Sequence, residues 1–223
     1  MSVAAIIVAA GSGQRLGAPI PKALVELRGR PLLFWSLQSF LQHPDVDSVI
    51  VVSPSTAVDQ VRALCESRAL IVVGGATRQD SVRNGLAALD DSVEQVLIHD
   101  AARPFVPAEV ITSVVKALSG GACAVIPVLP VTDTIKRLDE AGVVVATLDR
   151  SELWTVQTPQ GFDRSVLSEA HSSAVENSIA DVTDDAGLVE RLGLPVRTVA
   201  GSPELAKITT RHDLSVANRM ADS

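Results

Sequence analysis

The sequence predicts an α/β fold, a doubly wound, mostly parallel mixed sheet of Rossmann-like type, and three observations carry that prediction. Short apolar, β-branched runs alternate with segments of helical periodicity. The connections are short, and runs such as Val3–Val8 lack polar alternation, as strands buried on both faces do. The glycine-rich and charged clusters recur just after strands, where open parallel sheets bind ligands. No linker, repeat or low-complexity segment interrupts the 223 residues, so the expectation is one domain spanning 1–223.

In chain order, the first strand is Val3–Val8, followed by a loop at Ala9–Lys22. Pro31, suited to a first helical position, opens a helix to about His43, with Leu33, Leu37, Phe40 and Leu41 at helical spacing. Strand two is Ser48–Ser53, and a helix runs from about Ser55 to Arg68. Leu70–Val73 leads through Gly74-Gly75-Ala76 into a helix with Val82, Leu86 and Leu89 on one face. Val93–Ile98 is a strand ending in His99-Asp100, a helix spans about Pro107–Leu118, and Ala122–Val128 is the next strand.

The rhythm then changes. Asp133–Leu138 and Val143–Leu148 flank the turn Asp139-Glu140-Ala141-Gly142, which reads as a β-hairpin. Inserted at about 131–150, it is expected to project as an apolar arm seeking a partner surface; packing on its own domain is the alternative. Trp154–Gln160 returns to the sheet, helices follow at about Arg164–Ala174 and Asp184–Leu192, and Val196–Ala200 is a strand. Ala206-Lys207-Ile208 reads as a short strand before a last helix near Arg211–Met220, with Thr210 its N-cap.

The loop Gly11-Ser12-Gly13-Gln14-Arg15-Leu16-Gly17, continued to Pro21-Lys22, carries the clearest chemistry. Glycines let a polyanion approach backbone N–H groups, while Arg15 forks onto phosphate oxygens and Lys22 acts as a point charge. A nicotinamide-dependent oxidoreductase is disfavoured, because the third glycine falls one place late and no acid closes the second strand. A Walker A loop is excluded, since Lys22 follows Pro21 and no Ser or Thr comes next. A plain glycine turn is the alternative, and an Arg-plus-Lys loop for a nucleoside triphosphate is the better reading.

A net charge of -7 and a pI near 5.1 argue against nucleic acid. Cys65 and Cys123 have no metal-ligand spacing and read as buried, reduced thiols in a helix and a strand of a cytoplasmic protein. No run approaches the ~20 apolar residues of a membrane span. His99 lacks a nucleophilic partner, so a triad is not expected. Taken singly, Gly74-Gly75 reads also as a turn, Asp100 as a helix cap, Arg103 as a surface charge and Arg150 as a partner of Asp149 or Glu152. Lys207 reads also as a snorkelling side chain. Their convergence at strand ends weighs more than any one of them.

The combination of Ala9-Ala10-Gly11-x-Gly13-x-Arg15-x-Gly17 and Pro21-Lys22 with His99-Asp100-Ala101-Ala102-Arg103-Pro104-Phe105 resembles the 2-C-methyl-D-erythritol 4-phosphate cytidylyltransferases of the non-mevalonate isoprenoid pathway. Gly75-x-x-Arg78-x-x-Ser81-Val82, Asp133-Thr134-Ile135, Gln157-Thr158-Pro159-Gln160, Thr183-Asp184-Asp185 and Lys207-Ile208-Thr209 extend the resemblance over nearly the whole chain. The first motif has relatives among sugar-phosphate and molybdopterin nucleotidyltransferases. The Gln-Thr-Pro-Gln stretch and the hairpin argue against those, and Ala101-Ala102 against an enzyme for ribitol 5-phosphate.

The resemblance implies transfer of a cytidylyl group from cytidine triphosphate (CTP) to 2-C-methyl-D-erythritol 4-phosphate with Mg²⁺, releasing pyrophosphate. It implies that Arg15 and Lys22 stabilise the transition state and that Arg150 and Lys207 position the acceptor. Ala9, Ala10, Gly11, Gly13, Gly75, Ala76 and Ser81 would hold CTP. Asp100 and Arg103 are assigned to ribose, metal or substrate contacts without a division among them, and the metal is expected to be held mainly by the CTP phosphates. Thr134, Thr158 and Thr183 would line the acceptor side. The arm of one subunit would reach over its partner's site, giving a homodimer in which Thr134 and Arg150 act in trans.

Overall fold

Strand β1 (Ser2–Val8) runs through the middle of the molecule, buried on both faces because every residue from Val3 to Ile7 is apolar. The structure, a computed structural model, describes residues 1–11, 13, 16–17, 20–179 and 182–220. A two-stranded turn (β2, Glu26–Leu27; β3, Arg30–Pro31) precedes α1 (Leu32–Leu41). There follow β4 (Ser48–Ser53), α2 (Val58–Cys65), β5 (Leu70–Val73), α3 (Arg78–Ala87), β6 (Val93–Asp100), α4 (Ala108–Ser119) and β7 (Ala124–Pro130). The second part holds β8 (Lys136–Leu138), β9 (Val144–Thr147), β10 (Trp154–Val156), β11 (Gln160–Asp163), α5 (Arg164–Glu176), α6 (Ala186–Arg191), β12 (Arg197–Ala200) and α7 (Arg211–Met220).

Among the described residues these strands form an eight-stranded sheet in the order β10-β7-β11-β6-β1-β4-β5, with β12 also on β7. The pairs β1–β4, β1–β6, β4–β5 and β7–β12 are parallel, whereas β10 and β11 run antiparallel to their neighbours. Alternation along β1 shows why helices cover both sides. Val3, Ala5 and Ile7 pack with Leu33, Leu37, Phe40 and Ile111, on the side of α1, α2 and α4. Ala4 and Ile6 pack with Val82, Leu86, Phe162 and Leu167, on the side of α3, α5 and α6. Ile6 and Ile7 are fully buried, each contributing about 1.5–3 kcal/mol of burial free energy. Because β4 lies on one side of β1 and β6 on the other, chain order reverses there, and a crevice opens at the strands' carboxyl ends.

The hairpin of β8 and β9 forms a sheet of its own. Leu138, Val143, Val144 and Val145 are all more than half exposed on it.

Several element expectations need correction. Pro31 is the N-cap of α1 rather than its first helical residue. Ser55–Ala57 is a 3₁₀ turn ahead of α2, which stops at Cys65 because Glu66 and Ser67 take left-handed backbone (φ 50° and 63°). Trp154–Gln160 returns to the sheet as expected, as two strands: β10 and the start of β11 are separated by a segment with a cis Thr158–Pro159 bond. Ala206–Ile208 is not a strand. Its flanking donors go elsewhere, Ile208 N–H to the Ala102 carbonyl, and those of Thr209 and Thr210 to the Asp213 carboxylate. Asp213 N–H in turn donates to Thr210 Oγ1, the cap expected for α7. Both cysteines are free; Cys65 is buried in α2, but Cys123 is half-buried just ahead of β7. Burial pushes the Cys65 thiol up to about 11, so it is inert.

Candidate active site

The crevice at the ends of β1, β5 and β6 is a cleft of about 680 Å³. Its first wall comes from β1 and the loop after it, through Ala9, Ala10, Gly11, Gly13 and Lys22. Gly13 takes φ +65°, and a Cβ there would sit 2.6 Å from Lys22 Cβ, so a side chain would push the lysine stem away. Arg15 lies outside the described residues.

The second wall is the turn between β5 and α3, with Gly75, Ala76 and Ser81. A capping box fixes it: Thr77 Oγ1 accepts from Asp80 N–H and the Asp80 carboxylate accepts from Thr77 N–H, both at 3.0 Å. Ser81 Oγ donates to the Thr77 carbonyl (2.9 Å) and accepts from Gly75 N–H (3.1 Å), so this hydroxyl shapes the turn. A Cβ on Gly75 would stand 2.2 Å from Asp80 Cβ, which is why the chain can pass here only as glycine.

The third wall is the end of β6. Asp100 is the last strand residue, and two cations hold its carboxylate: Arg78 Nε at 3.1 Å on Oδ1 and Lys207 Nζ at 2.6 Å on Oδ2. Arg78 also reaches Asp185 Oδ2 at 2.7 Å, and His171 Nε2 lies 3.0 Å from Asp185 Oδ1. A chain of alternating partners thus runs from α5 to the cleft. Burial opposes ionisation of Asp100, yet Arg78 and Lys207 outweigh it and hold the carboxyl well below its usual range. Burial likewise opposes ionisation of Asp185, which Arg78 and His171 overcome. Burial works against the Arg78 charge too, but the two aspartates raise its pKa.

Behind Asp100, His99 is fully buried. Its Nε2 lies 3.0 Å from the Arg103 carbonyl, which can only accept, so the ring proton sits on Nε2. Nδ1 then accepts from the Thr158 hydroxyl (3.0 Å), which itself accepts from Asp100 N–H (3.1 Å). Burial pushes His99 down to about 4, keeping it neutral.

The cleft therefore brings together Ala9, Ala10, Gly11, Gly13, Lys22, Gly75, Ala76, Ser81, Asp100 and Lys207. Four expected site residues stand elsewhere in this chain, and a fifth, Arg103, turns inward. Thr158 is buried in the network under Asp100. Arg103 donates to the carbonyls of Leu205 (2.6 Å) and Val156 (3.2 Å), where it ties β10 to the segment before Lys207. Thr134, Arg150 and Thr183 are exposed and line no part of the cleft; Arg150 donates to the Thr132 carbonyl at 2.6 Å.

Sequence reasoning missed Arg78, Asp185 and His171. Arg78 and Asp185 stood in motifs as letters without roles. His171 shares the buried face of α5 with Leu167, Ala170 and Ala174, and that apolar spacing was its one signal.

A cleft at a topological switch point, with small residues on two walls and Lys22, Arg78 and Lys207 lining it, defines a class: an α/β enzyme that handles a phosphorylated nucleotide. Comparison with known proteins narrows the class. The family model described as IspD, 2-C-methyl-D-erythritol 4-phosphate cytidylyltransferase, matches residues 3–222, and the chain belongs to that family of transferases. It is 50% identical to a protein of that name from Frankia casuarinae, over 98% of this chain and 80% of that one. Identity to the Saccharopolyspora erythraea protein of the same name is 51%, covering 97% of this chain and 98% of the relative. Among solved structures, the 4-diphosphocytidyl-2C-methyl-D-erythritol synthase from Anaerococcus prevotii superposes with a TM-score of 0.87 at 32% identity, covering 100% of this chain and 99% of that one.

Proposed function

We propose that the chain transfers the cytidylyl group of CTP to 2-C-methyl-D-erythritol 4-phosphate, giving 4-diphosphocytidyl-2-C-methyl-D-erythritol and pyrophosphate. The observation that carries this reading is the convergence of Lys22, Arg78 and Lys207 on one cleft in a chain of net charge -7. In the reaction an oxygen of the acceptor phosphate forms a bond to the α-phosphorus of CTP. The α–β bridging P–O bond breaks, and its electron pair leaves with pyrophosphate. The nucleophile is already an anion, so no general base is needed; the task is to hold two anions in line and to stabilise charge on the departing group. Lys22, with Arg15, serves the triphosphate. Lys207, on the opposite wall beside Asp100, serves the acceptor phosphate, and the backbone at Ala9–Gly11 and Gly75–Ala76 faces the nucleoside.

Mg²⁺ fits this cleft as an ion carried by the substrate. Asp100 is the one carboxylate lining it among the described residues, and Mg²⁺ commonly takes one or two carboxylates together with substrate phosphates. When bound, the ion neutralises triphosphate charge.

The arm supports a homodimer. Leu138, Val143, Val144 and Val145 are exposed on it, and a second copy that covers them would bring its own Arg150 and Thr134 towards this cleft. No helix among the described residues is long and apolar enough to cross a membrane, and the working compartment of the reading is the cytoplasm.

Pyrophosphate release from CTP and Mg²⁺ tests the reading, with 2-C-methyl-D-erythritol 4-phosphate and ribitol 5-phosphate as parallel acceptors. Release with the first alone is the expected result. Preference for ribitol 5-phosphate would keep the chemistry and change the acceptor, and release with neither would overturn the assignment.

A further inference from the structure

The segment after Lys207 touches both sides of the cleft. Thr209 lines the cleft, Ile208 N–H donates to the Ala102 carbonyl at 2.8 Å, and Asp213 caps Thr209 and Thr210 N–H at 2.8 Å each. The next residue, Arg211, starts α7 and turns to the glycine-rich loop. Its Nε lies 3.4 Å from the Leu16 carbonyl and its Nη2 3.3 Å from the Gly17 carbonyl. Nη2 also lies 3.4 Å from where a Cβ on Gly17 would be, so the guanidinium rests directly on the loop backbone. Leu16 itself is 3% exposed, in a small apolar cluster with Ile208 and Ala217.

We infer that Arg211 is a positioning residue for the nucleotide loop, clasping Leu16 and Gly17 so that the segment bearing Gly13 and Lys22 stays in register with Lys207. The inference rests on the reading that CTP phosphates lie against that loop. α7 has anchors besides Arg211. The helix is held further along, where Arg28 Nη2 and Nε donate to the Asn218 carbonyl (2.8 and 3.0 Å) and Arg28 N–H donates to Asn218 Oδ1 (3.1 Å). Ala217 is buried beside them. An exposed arginine that spans to two carbonyls 194 and 195 residues away acts on the loop. With Leu16 and Gly17 held beforehand, CTP binding need not fix them, and affinity gains accordingly.

The test titrates CTP with Mg²⁺ into the parent chain and into R211A, R211K and N218A, and measures the acceptor KM in turnover. Loss of two exposed charge-assisted hydrogen bonds should weaken CTP binding about tenfold in R211A. The acceptor KM should stay within about twofold, and R211K, which can reach one carbonyl, should recover part of the loss. N218A, which removes the Oδ1 that accepts from Arg28 N–H at the far end of the same helix, should bind CTP as the parent does. CTP affinity in R211A equal to the parent's overturns the inference. Equal weakening in R211A and N218A also overturns it, since the effect would then come from a loosened helix. A parent chain that binds no CTP overturns the underlying reading and, with it, this one.

Discussion

The cleft and the arm are built on opposite terms. In the cleft each buried charge has a counter-charge from a different element: Asp185 and Asp100 share Arg78, and Asp100 also takes Lys207 from the segment before α7. On the arm, the side chains that would normally be buried face water, Val143 at 59% exposure. The contrast teaches that one chain suffices to pair the charges that line the cleft. The arm leaves its apolar side chains uncovered by its own chain. Perturbing the first region should therefore register in stability and turnover, and perturbing the second mainly in association.

The largest effect expected is that of Arg78→Ala. It leaves Asp185, 1% exposed, with its charge answered by His171 alone, and removal of one partner from a buried pair costs about 3–5 kcal/mol. For a chain of this size that is a fall in Tm of about 6–20 °C; a melt within a degree or two of the parent would mean that the ion-pair chain is ornamental. Lys22→Ala should spare the melt and lower pyrophosphate release about 10²–10³-fold, the loss of one transition-state stabiliser. Near-normal turnover would remove Lys22 from the chemistry.

Acid comes next. Unfolded His99 titrates near 6.5 and the folded group near 4, so the stability given by its neutral form is complete above 6.5 and is lost as pH falls towards 4. The total is roughly 3 kcal/mol. Asp100, with its depressed pKa, adds a loss at still lower pH, below the ordinary carboxyl range. Denaturant midpoints at pH 7, 5 and 4 read this slope, and His99→Asn should flatten it. Smallest of all, Val144→Asp on the arm should change the stability of the single chain by less than about 0.5 kcal/mol. Sedimentation should nonetheless show weaker self-association; unchanged association would detach the arm from any dimer.

The strand and helix order was legible because it rests on local periodicity, and the clusters after β1, β5 and β6 were legible because a parallel sheet delivers them to one end. What long-range contacts decide was not. Thr158 and Arg103 read as residues facing the substrates; in this chain the Thr158 hydroxyl meets Asp100 N–H and His99, and two Arg103 nitrogens meet the carbonyls of Val156 and Leu205. His171 read as nothing, since its partner Asp185 belongs to another element. Ala206–Ile208 had the composition of a strand, yet a strand exists only where a neighbouring ladder has room for it. Left-handed Glu66 and Ser67 ended α2 without a glycine to announce it.

The place of β11 has a consequence for how the protein is made. Residues Gln160–Asp163 slot between β6 and β7, both of which leave the ribosome earlier. Until residue 163 emerges, the nascent sheet has two unsatisfied edges facing a gap one strand wide. Synthesis that stalls inside this window leaves a product open to edge-to-edge pairing with other chains. Slow decoding just upstream of Gln160 should accordingly raise aggregation, whereas the same pause after Glu176, with the gap filled and α5 laid down, should be harmless.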